Sequence, residues 1–149
     1  MLCISKITDY GTKVLLAMVE KPTYLYSSVE LAECTHVGQP TVRKILKLLT
    51  KGGVLTSQRG SQGGYQLARD ASSISLAEVV SILDGEIAMT ECDKHMGCCE
   101  LEADCSVKDN WSVISSVIHD VLQNISLQQM MQPILPQELP VKFYKRVSI

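Results

Sequence analysis

The first fifty residues carry apolar side chains at helical spacing, interrupted by residues that begin and end helices. A first helix is predicted over residues 8–20, because it opens with a Thr-Asp pair typical of helix starts and stops just before a proline. A second helix is predicted over residues 27–35, since Ser27 and Glu30 have the spacing of a capping box. The turn that follows is expected to end at Gly38, with this glycine in a left-handed backbone conformation.

A third helix is predicted over residues 39–51, with Pro40 in its first turn, where a missing N–H costs nothing. Its apolar residues have the spacing of one buried stripe: Val42, Ile45, Leu46 and Leu49. Its basic residues lie mostly away from that stripe: Arg43, Lys44, Lys47 and Lys51. Gly52 and Gly53 are expected to end the helix. Two helices joined by a short turn, with positive charge on the second, are typical of a helix-turn-helix.

Two short strands are predicted next, over residues 54–58 and 65–68. Their glycine-rich connection has Arg59 near its tip, so the pair is expected to form a hairpin, and a hairpin directly after a helix-turn-helix defines a winged helix. A fourth helix, in which Ser75 and Glu78 have capping-box spacing, is expected to complete the N-terminal core.

The second half of the chain contains a loop and a long amphipathic helix. Residues 90–105 are dense in polar side chains and have neither helical nor strand periodicity. Over residues 106–125 an apolar stripe keeps helical spacing: Val107, Trp111, Ile114, Val117, Ile118, Val121, Leu122 and Ile125. This stripe is longer than so small a domain needs, so we expect it to be buried against a second copy of the chain. The segment 132–149, rich in proline and basic residues, is expected to be an irregular tail.

Charge is distributed unevenly along the chain. The formal net charge is −2, yet residues 35–69 contain six Lys or Arg and no Asp or Glu. Such a block is typical of a surface that binds a polyanion, although an ordinary solvated helix face is the alternative. A hydrophobic content of 46% excludes a disordered chain. No apolar run predicts a membrane span and no secretory signal is evident, so a cytoplasmic location is expected.

Four of the six cysteines fall in the predicted loop: Cys92, Cys98, Cys99 and Cys105. Thiolates are the ligands that iron and zinc prefer, and iron–sulfur clusters are held mainly by them. The Cys-x-x-Cys pair typical of structural zinc does not occur, and the wide spacings favour a polynuclear cluster. A thiol redox switch and cysteines without a role are the alternatives. Cys34 is expected to be a small core residue. No pattern in the sequence predicts an enzyme.

Three features together resemble the IscR/NsrR/SufR group of regulators. They are the N-terminal sequence Ile4-Ser5-Lys6-Ile7-Thr8-Asp9-Tyr10, the wing sequence Arg59-Gly60-Ser61-Gln62-Gly63-Gly64-Tyr65, and three spaced cysteines followed by a tryptophan. The resemblance covers residues 1 to about 131. It implies a dimeric bacterial winged-helix regulator of transcription that senses iron–sulfur cluster status or nitric oxide. Within the group, the segments 8–10 and 40–44 are most similar to proteobacterial regulators of the suf cluster-assembly operon.

The resemblance implies three cysteine ligands, at Cys92, Cys99 and Cys105. Trp111, six residues after Cys105, identifies the third ligand, and the usual five intervening residues then identify Cys99. Counting forward from Cys92 with the spacing of the isc regulator identifies Cys98 instead, which leaves that alternative open.

The fourth ligand is not implied directly. The isc-type regulator has a histidine three residues after its third cysteine, where this chain has Lys108, and a cationic amine cannot replace it. The nitric-oxide-sensing branch uses a first-helix aspartate of the partner subunit, and Asp9 occupies the matching position. A helix-capping role for Asp9 is the alternative, and His95 is another candidate ligand.

The sequence therefore predicts a mainly α-helical fold with a small β-hairpin: a winged helix-turn-helix followed by a long C-terminal dimerisation helix. The expected units are a DNA-binding domain (1–88), a cysteine-rich loop (89–105) that binds a [2Fe–2S] or [4Fe–4S] cluster, a dimerisation helix with a short following helix (106–131), and the tail (132–149).

We expect a homodimeric repressor of cluster-assembly genes on palindromic double-stranded DNA, with no membrane or small-molecule substrate as a partner. A repressor that responds to nitric oxide or thiol oxidation is the alternative, and a scaffold that never binds DNA is a further one. The third helix would enter the major groove, and the hairpin would reach the minor groove. The residues expected to contact DNA are Gln39, Pro40, Thr41, Arg43, Lys44, Lys47, Arg59 and Gly60.

Overall fold

The computed structural model describes residues 4–60, 62–90 and 105–135 of the chain. In chain order, these residues form α1 (Lys6–Val19), α2 (Ser28–Thr35), α3 (Gln39–Lys51), β1 (Leu55–Gln58), β2 (Gly64–Leu67), α4 (Leu76–Asp84), α5 (Lys108–Gln123) and α6 (Leu127–Met130). A short 3₁₀ helix (Ala71–Ser73) precedes α4. The mainly helical fold class with one small hairpin is confirmed.

The start of α1 differs from the prediction. Ser5 is the N-cap, and its hydroxyl accepts a hydrogen bond of 3.3 Å from the Thr8 backbone N–H. Asp84, at the end of α4, accepts from the backbone N–H of Ser5 at 3.2 Å and from the Ser5 hydroxyl. The helix therefore begins two residues early, because Ser5 is held from both sides. The capping role considered for Asp9 is wrong, and Asp9 lies exposed in the first turn.

The turn between α2 and α3 also differs in one detail. The capping box of α2 is present, with the Glu30 carboxylate accepting from the Ser27 N–H at 2.7 Å and the Ser27 hydroxyl accepting from the Glu30 N–H at 3.1 Å. The left-handed residue is His36, with φ of 56°, whereas Gly38 has φ of −54°. The prediction for Gly38 is wrong because this glycine is the N-cap of α3. The chain reverses earlier, at His36, which is the C-cap of α2.

The core is built by α1 to α4, the hairpin and the junction between α5 and α6. The predicted stripe of α3 is fully buried: Val42, Ile45, Leu46 and Leu49. Ile125 and Leu127 lie in the same core. Ile125 accepts a backbone hydrogen bond of 2.8 Å from Leu76, and Leu127 donates one of 2.9 Å to Ile74. The far end of α5 is thereby attached to the start of α4.

The hairpin is attached to the helical core by a further backbone pairing. Strands β1 and β2 pair antiparallel, with Ser57 opposite Tyr65. On the other side of β2, Tyr26 and Tyr65 exchange two backbone hydrogen bonds of 2.9 and 2.8 Å. A side chain at Gly64 would lie 2.8 Å from the Tyr26 carbonyl oxygen, so this position requires glycine for the close approach.

Within the described part of the chain, no helix has the length and apolar character needed to cross a lipid bilayer.

Candidate nucleic-acid interface and cysteine segment

One face of α3 is basic and exposed. Arg43, Lys44, Lys47 and Lys51 are all exposed, and the buried stripe lies on the opposite side of the same helix. No acidic residue occurs in α3. We call the four α3 side chains and Arg59 the basic surface. Because nothing on α3 neutralises its positive charges, the face can attract a polyanion.

The first turn of α3 contributes the polar side chains expected at a base-reading position. Gln39 and Thr41 are half-buried, and Pro40 is exposed. Gly38 is the N-cap of α3 and makes no side-chain cap hydrogen bond, so no side chain caps the N-terminus of this helix. A recognition helix commonly presents its N-terminal residues to base edges, and these residues occupy that part of α3.

Arg43 has a neighbour that the sequence did not suggest. Its Nε donates a hydrogen bond of 3.5 Å to the hydroxyl of Ser28, the first residue of α2. The start of α2 and the exposed face of α3 therefore lie side by side. In a helix-turn-helix the first helix crosses the DNA backbone, and Ser28 occupies a position suited to such a contact. No sequence signal singled it out, because a helix-start serine is explained by capping alone.

The hairpin places Arg59 immediately after β1, where its side chain is exposed. Gly60 has φ of 122°, a backbone conformation that other residues rarely adopt, and its carbonyl accepts from the Gly63 N–H at 3.1 Å. A side chain at Gly63 would collide with the backbone carbonyl of Gln58. The wing glycines are thus required by the hairpin itself.

Arg69, the last basic residue of the acid-free block, does not belong to the basic surface. Its guanidinium donates to the Ser73 carbonyl at 2.7 Å and pairs with the Glu78 carboxylate. The side chain of Glu78 therefore forms this ion pair. Its backbone N–H donates to the Ser75 hydroxyl at 3.2 Å. Arg69 connects the end of the hairpin to α4.

The structure describes one of the three predicted cysteine ligands. Cys105 is a half-buried free thiol in the turn before α5, whereas Cys92 and Cys99 lie outside the described residues, as does the alternative Cys98. Among residues 4–60, 62–90 and 105–135, no three His, Cys, Asp or Glu side chains come close enough to hold a metal ion. Cys34 is exposed on α2, so the expectation that it packs in the core is wrong.

Asp9, the candidate fourth ligand, lies in the first turn of α1. Its carboxylate is exposed and makes no hydrogen bond or ion pair with another described residue. It borders a cavity of about 360 Å³ together with Ile4, Thr8 and Leu122. The Thr8 hydroxyl is buried, and it too has no hydrogen-bond partner among the described residues. Because the Asp9 carboxylate has no partner among these residues, it is available as a ligand.

The long helix exposes the N-terminal half of its apolar stripe. The exposed apolar residues are Val107, Trp111, Val113, Ile114 and Val117. Nearer its end, Val121 and Leu122 pack against the core. An apolar face of this extent on a small domain marks an interaction surface.

Comparison with known proteins supports this architecture. The family model described as "Rrf2: Iron-dependent Transcriptional regulator" matches residues 4–133. Protein rrf2 of Nitratidesulfovibrio vulgaris is 31% identical over 127 residues, which cover 83% of this chain and 83% of the relative. The HTH-type transcriptional regulator IscR of Vibrio campbellii is 28% identical over 131 residues, or 85% of this chain and 77% of the relative. The solved structure of CymR, the global cysteine regulator of B. subtilis, is similar with a TM-score of 0.69 at 23% identity, over 88% of this chain and 97% of that one. The predicted winged-helix fold is confirmed.

Proposed function

The chain belongs to the Rrf2 family of transcriptional regulators, and from this premise we propose that it is a repressor that binds a palindromic operator as a homodimer. The observation that carries the proposal is the basic surface. Four cationic side chains share the exposed face of an acid-free α3, and Arg59 is exposed in the hairpin that follows α3. This arrangement suits a helix in the major groove and a wing on the adjacent minor groove.

Within α3, the proposal divides the side chains by position. Gln39, Thr41, Arg43 and Lys44 are near the N-terminus and would reach base edges and neighbouring phosphates. Lys47, one turn further on, would contact phosphate alone and contribute affinity that depends on salt. Pro40 and Gly60 would allow close approach, since neither carries a bulky polar side chain.

Fluorescence anisotropy with an A·T-rich palindromic duplex tests this division. We expect Arg59→Ala to weaken specific binding by about 1–3 kcal/mol while weakening binding to unrelated DNA less. Lys47→Ala should weaken binding to all sequences alike and reduce the slope of log affinity against log salt by about 1. Lys13→Ala, which removes an exposed positive charge from α1, is the matched control.

The control separates a DNA-contacting role from net charge. If Lys13→Ala lowers affinity as much as Lys47→Ala, the effect comes from total charge and the proposed interface is wrong. If wild type, Arg59→Ala and Lys47→Ala bind DNA equally well, the proposed interface is also wrong.

The dimer is proposed to form through the exposed apolar half of α5. A two-fold dimer sets two copies of α3 against two half-sites, and the interface determines their spacing. Light scattering after size exclusion is expected to give a dimer for the wild type. Val113→Glu, which places a charge in the most exposed part of this face, should shift the population to monomer.

We further propose that Cys92, Cys99 and Cys105 hold an iron–sulfur cluster. The half-buried thiol of Cys105, which forms no disulfide with another described cysteine, is the kind of donor that such a cluster uses. Bound there, a cluster supplies a group that is sensitive to iron, oxygen and nitric oxide. The cysteine-rich loop (89–105) connects the DNA-binding domain to α5. A cluster bound by this loop would therefore restrain the DNA-binding domain relative to the dimerisation helix.

Anaerobic purification followed by iron and sulfide analysis tests the ligand set. We expect Cys92→Ala to lose visible absorbance and iron, whereas Cys34→Ala, which removes an exposed thiol elsewhere, should retain both. A colourless wild type would support the thiol-redox alternative. We also propose that the repressor controls cluster-assembly genes, as the suf-type regulators do. Mapping its operators in the genome that encodes it tests this proposal.

Asp9 favours a second candidate function, a repressor that senses nitric oxide. The Ser5 cap leaves the Asp9 carboxylate uncommitted, as a ligand supplied to the partner subunit requires. We expect Asp9→Asn to alter the visible spectrum without changing the amount of bound iron greatly. An unchanged spectrum would remove Asp9 from the ligand set.

A further inference from the structure

Arg43 lies at the border of the basic surface, next to α2. Each residue of a helix advances by about 100°, so Lys44, Lys47 and Lys51 share the middle of the exposed face of α3, and Arg43 lies to one side of them. Lys47 is one turn after Arg43, and like charges at this spacing repel each other. This repulsion favours the direction that Arg43 takes, towards α2, where its Nε donates to the Ser28 hydroxyl at 3.5 Å.

The hydroxyl of Ser28 is not needed to begin α2. Ser27 is the N-cap of this helix, and its hydroxyl accepts from the Glu30 N–H at 3.1 Å. Within the part of the chain that the structure describes, the side chain of Ser28 makes one hydrogen bond, and its partner is Arg43. The contact of Ser28 therefore concerns the exposed face of α3 rather than the start of α2.

The carboxylate in the first turn of α2 does not neutralise Arg43. One oxygen of Glu30 accepts from the Tyr24 hydroxyl at 2.8 Å, and the other accepts from the Ser27 N–H at 2.7 Å. Arg43 forms no ion pair with another described residue, and its two terminal nitrogens, Nη1 and Nη2, have no acceptor among these residues. The arginine therefore keeps its full charge, with its terminal N–H groups available to a ligand.

We propose that Ser28 is a positioning residue for Arg43, and that Arg43 so positioned reads a guanine in each half-site of the operator. The inference rests on the proposed DNA-binding function and names a base that this function selects. A guanidinium has five N–H donors, one on Nε and four on the terminal nitrogens. Guanine presents two acceptors, O6 and N7, in the major groove, and arginine can pair with both at once. Because Ser28 occupies Nε, Nη1 and Nη2 are the pair left to face the guanine.

Ser28 acts on the direction of Arg43 more than on the stability of the fold. The separation of 3.5 Å is longer than in most N–H···O hydrogen bonds, so the contact contributes little to folding. It does restrict a long and flexible side chain before DNA arrives, which lowers the entropy lost when the base contact forms. Lysine at position 43 could not replace this arrangement, because a single ammonium lacks the planar pair of donors.

Selection from a pool of randomised duplexes identifies the bases that the protein prefers. We expect the wild type to select a palindrome with a fixed guanine in each half-site. Ser28→Ala and Arg43→Lys should both select palindromes in which this base varies more, whereas Ser28→Thr, which keeps a hydroxyl, should select the guanine again. A purely structural role of Ser28 would not give this pattern, because a loss of stability does not change which base is preferred.

Fluorescence anisotropy then measures the preference, with the selected duplex and a copy that has adenine in place of that guanine. One bidentate contact should give the wild type a preference of about tenfold or more. Ser28→Ala should reduce this preference by about 2–10-fold, the effect of one hydrogen bond, and should reduce it no further when Arg43→Lys is already present. Lys47→Ala is the matched control, since it should weaken binding to both duplexes by the same factor.

Three results would overturn the inference and leave the proposed function intact. The first is an equal loss of affinity for both duplexes in Ser28→Ala, which would mean that Ser28 contacts phosphate alone. The second is a selected palindrome without a fixed guanine, and the third is a guanine preference that Arg43→Lys leaves unchanged. A wild type that selects no sequence at all would overturn the proposed function itself, which distinguishes the two failures.

Discussion

Replacing Gly64 with alanine is expected to weaken the attachment of the hairpin to the helical core. The new Cβ would lie 2.8 Å from the Tyr26 carbonyl oxygen and 3.1 Å from the Leu25 carbonyl carbon. Both obstacles are backbone atoms, which cannot rotate away as a side chain can. The strand segments must therefore separate, and the two hydrogen bonds between Tyr26 and Tyr65 are the first to lengthen.

The magnitude follows from those two hydrogen bonds. Each backbone hydrogen bond contributes a net of about 0.5–1.5 kcal/mol, so losing both costs about 1–3 kcal/mol. Alanine offsets roughly 0.5–1 kcal/mol of this, because glycine is entropically unfavourable in a strand. We expect a net loss of about 0.5–2 kcal/mol, which lowers the thermal midpoint by roughly 2–4 °C per kcal/mol in a chain of this size.

Thermal unfolding followed by circular dichroism measures this loss, with Gly11→Ala as the control. The Cβ at Gly11 would press against the methyl end of Leu83, a flexible side chain that can move. Alanine also favours a helix interior by about 1 kcal/mol, so Gly11→Ala should change stability little. If Gly64→Ala leaves the midpoint unchanged, or if Gly11→Ala is the more damaging variant, the distinction between backbone and side-chain obstacles is wrong.

Three further variants test local features of the helices. Gly52→Ala should destabilise by about 1–3 kcal/mol in urea denaturation, because its Cβ would lie 2.5–2.9 Å from three atoms of Ile82, whose branched side chain is stiff. His36→Gly should raise the thermal midpoint, since it relieves about 1–2 kcal/mol of left-handed strain against roughly 0.5–1 kcal/mol of chain entropy. Hydrogen bonds, first from Ser27 and then from Tyr24, lower the pKa of Glu30 below its usual value. The ionised carboxylate therefore stabilises the fold above its usual pKa, and this effect is lost as the pH falls through the lowered value. The stability difference between wild type and Glu30→Gln should accordingly be present at neutral pH and disappear in acid, and equal differences at both pH values would contradict this explanation.

The sequence predicted the elements whose signals are local. The spacing of Val42, Ile45 and Leu49 defined the buried side of α3, and all three are fully buried. The capping box at Ser27 and Glu30 located the start of α2 to the residue. Such patterns depend on neighbours within one or two helical turns, so the rest of the fold is not needed to interpret them.

The wrong predictions concern residues whose conformation is decided by distant parts of the chain. Ser5 begins α1 because Asp84 holds it, although 79 residues separate the two. Arg69, which was counted only as part of the acid-free block, forms an ion pair with Glu78, and no local pattern indicates an ion pair across the junction between the hairpin and α4. Cys34 is exposed, since the rest of the domain buries only Leu31 and Thr35 of α2.

The proposed dimer connects observations that are separate within one chain. Asp9 is exposed in the first turn of α1, and Cys105 lies three residues before the start of α5, the helix proposed to form the dimer. In the nitric-oxide-sensing alternative, the Asp9 carboxylate of one subunit binds the cluster of the other. The surroundings of the cluster then depend on subunit pairing, which also sets the distance between the two recognition helices. The visible spectrum of wild-type protein should therefore change on dilution to monomer in the way that Asp9→Asn changes it in the dimer, and Val113→Glu should give that spectrum at concentrations where Val29→Glu does not. A spectrum that stays the same on dilution to monomer would contradict this link.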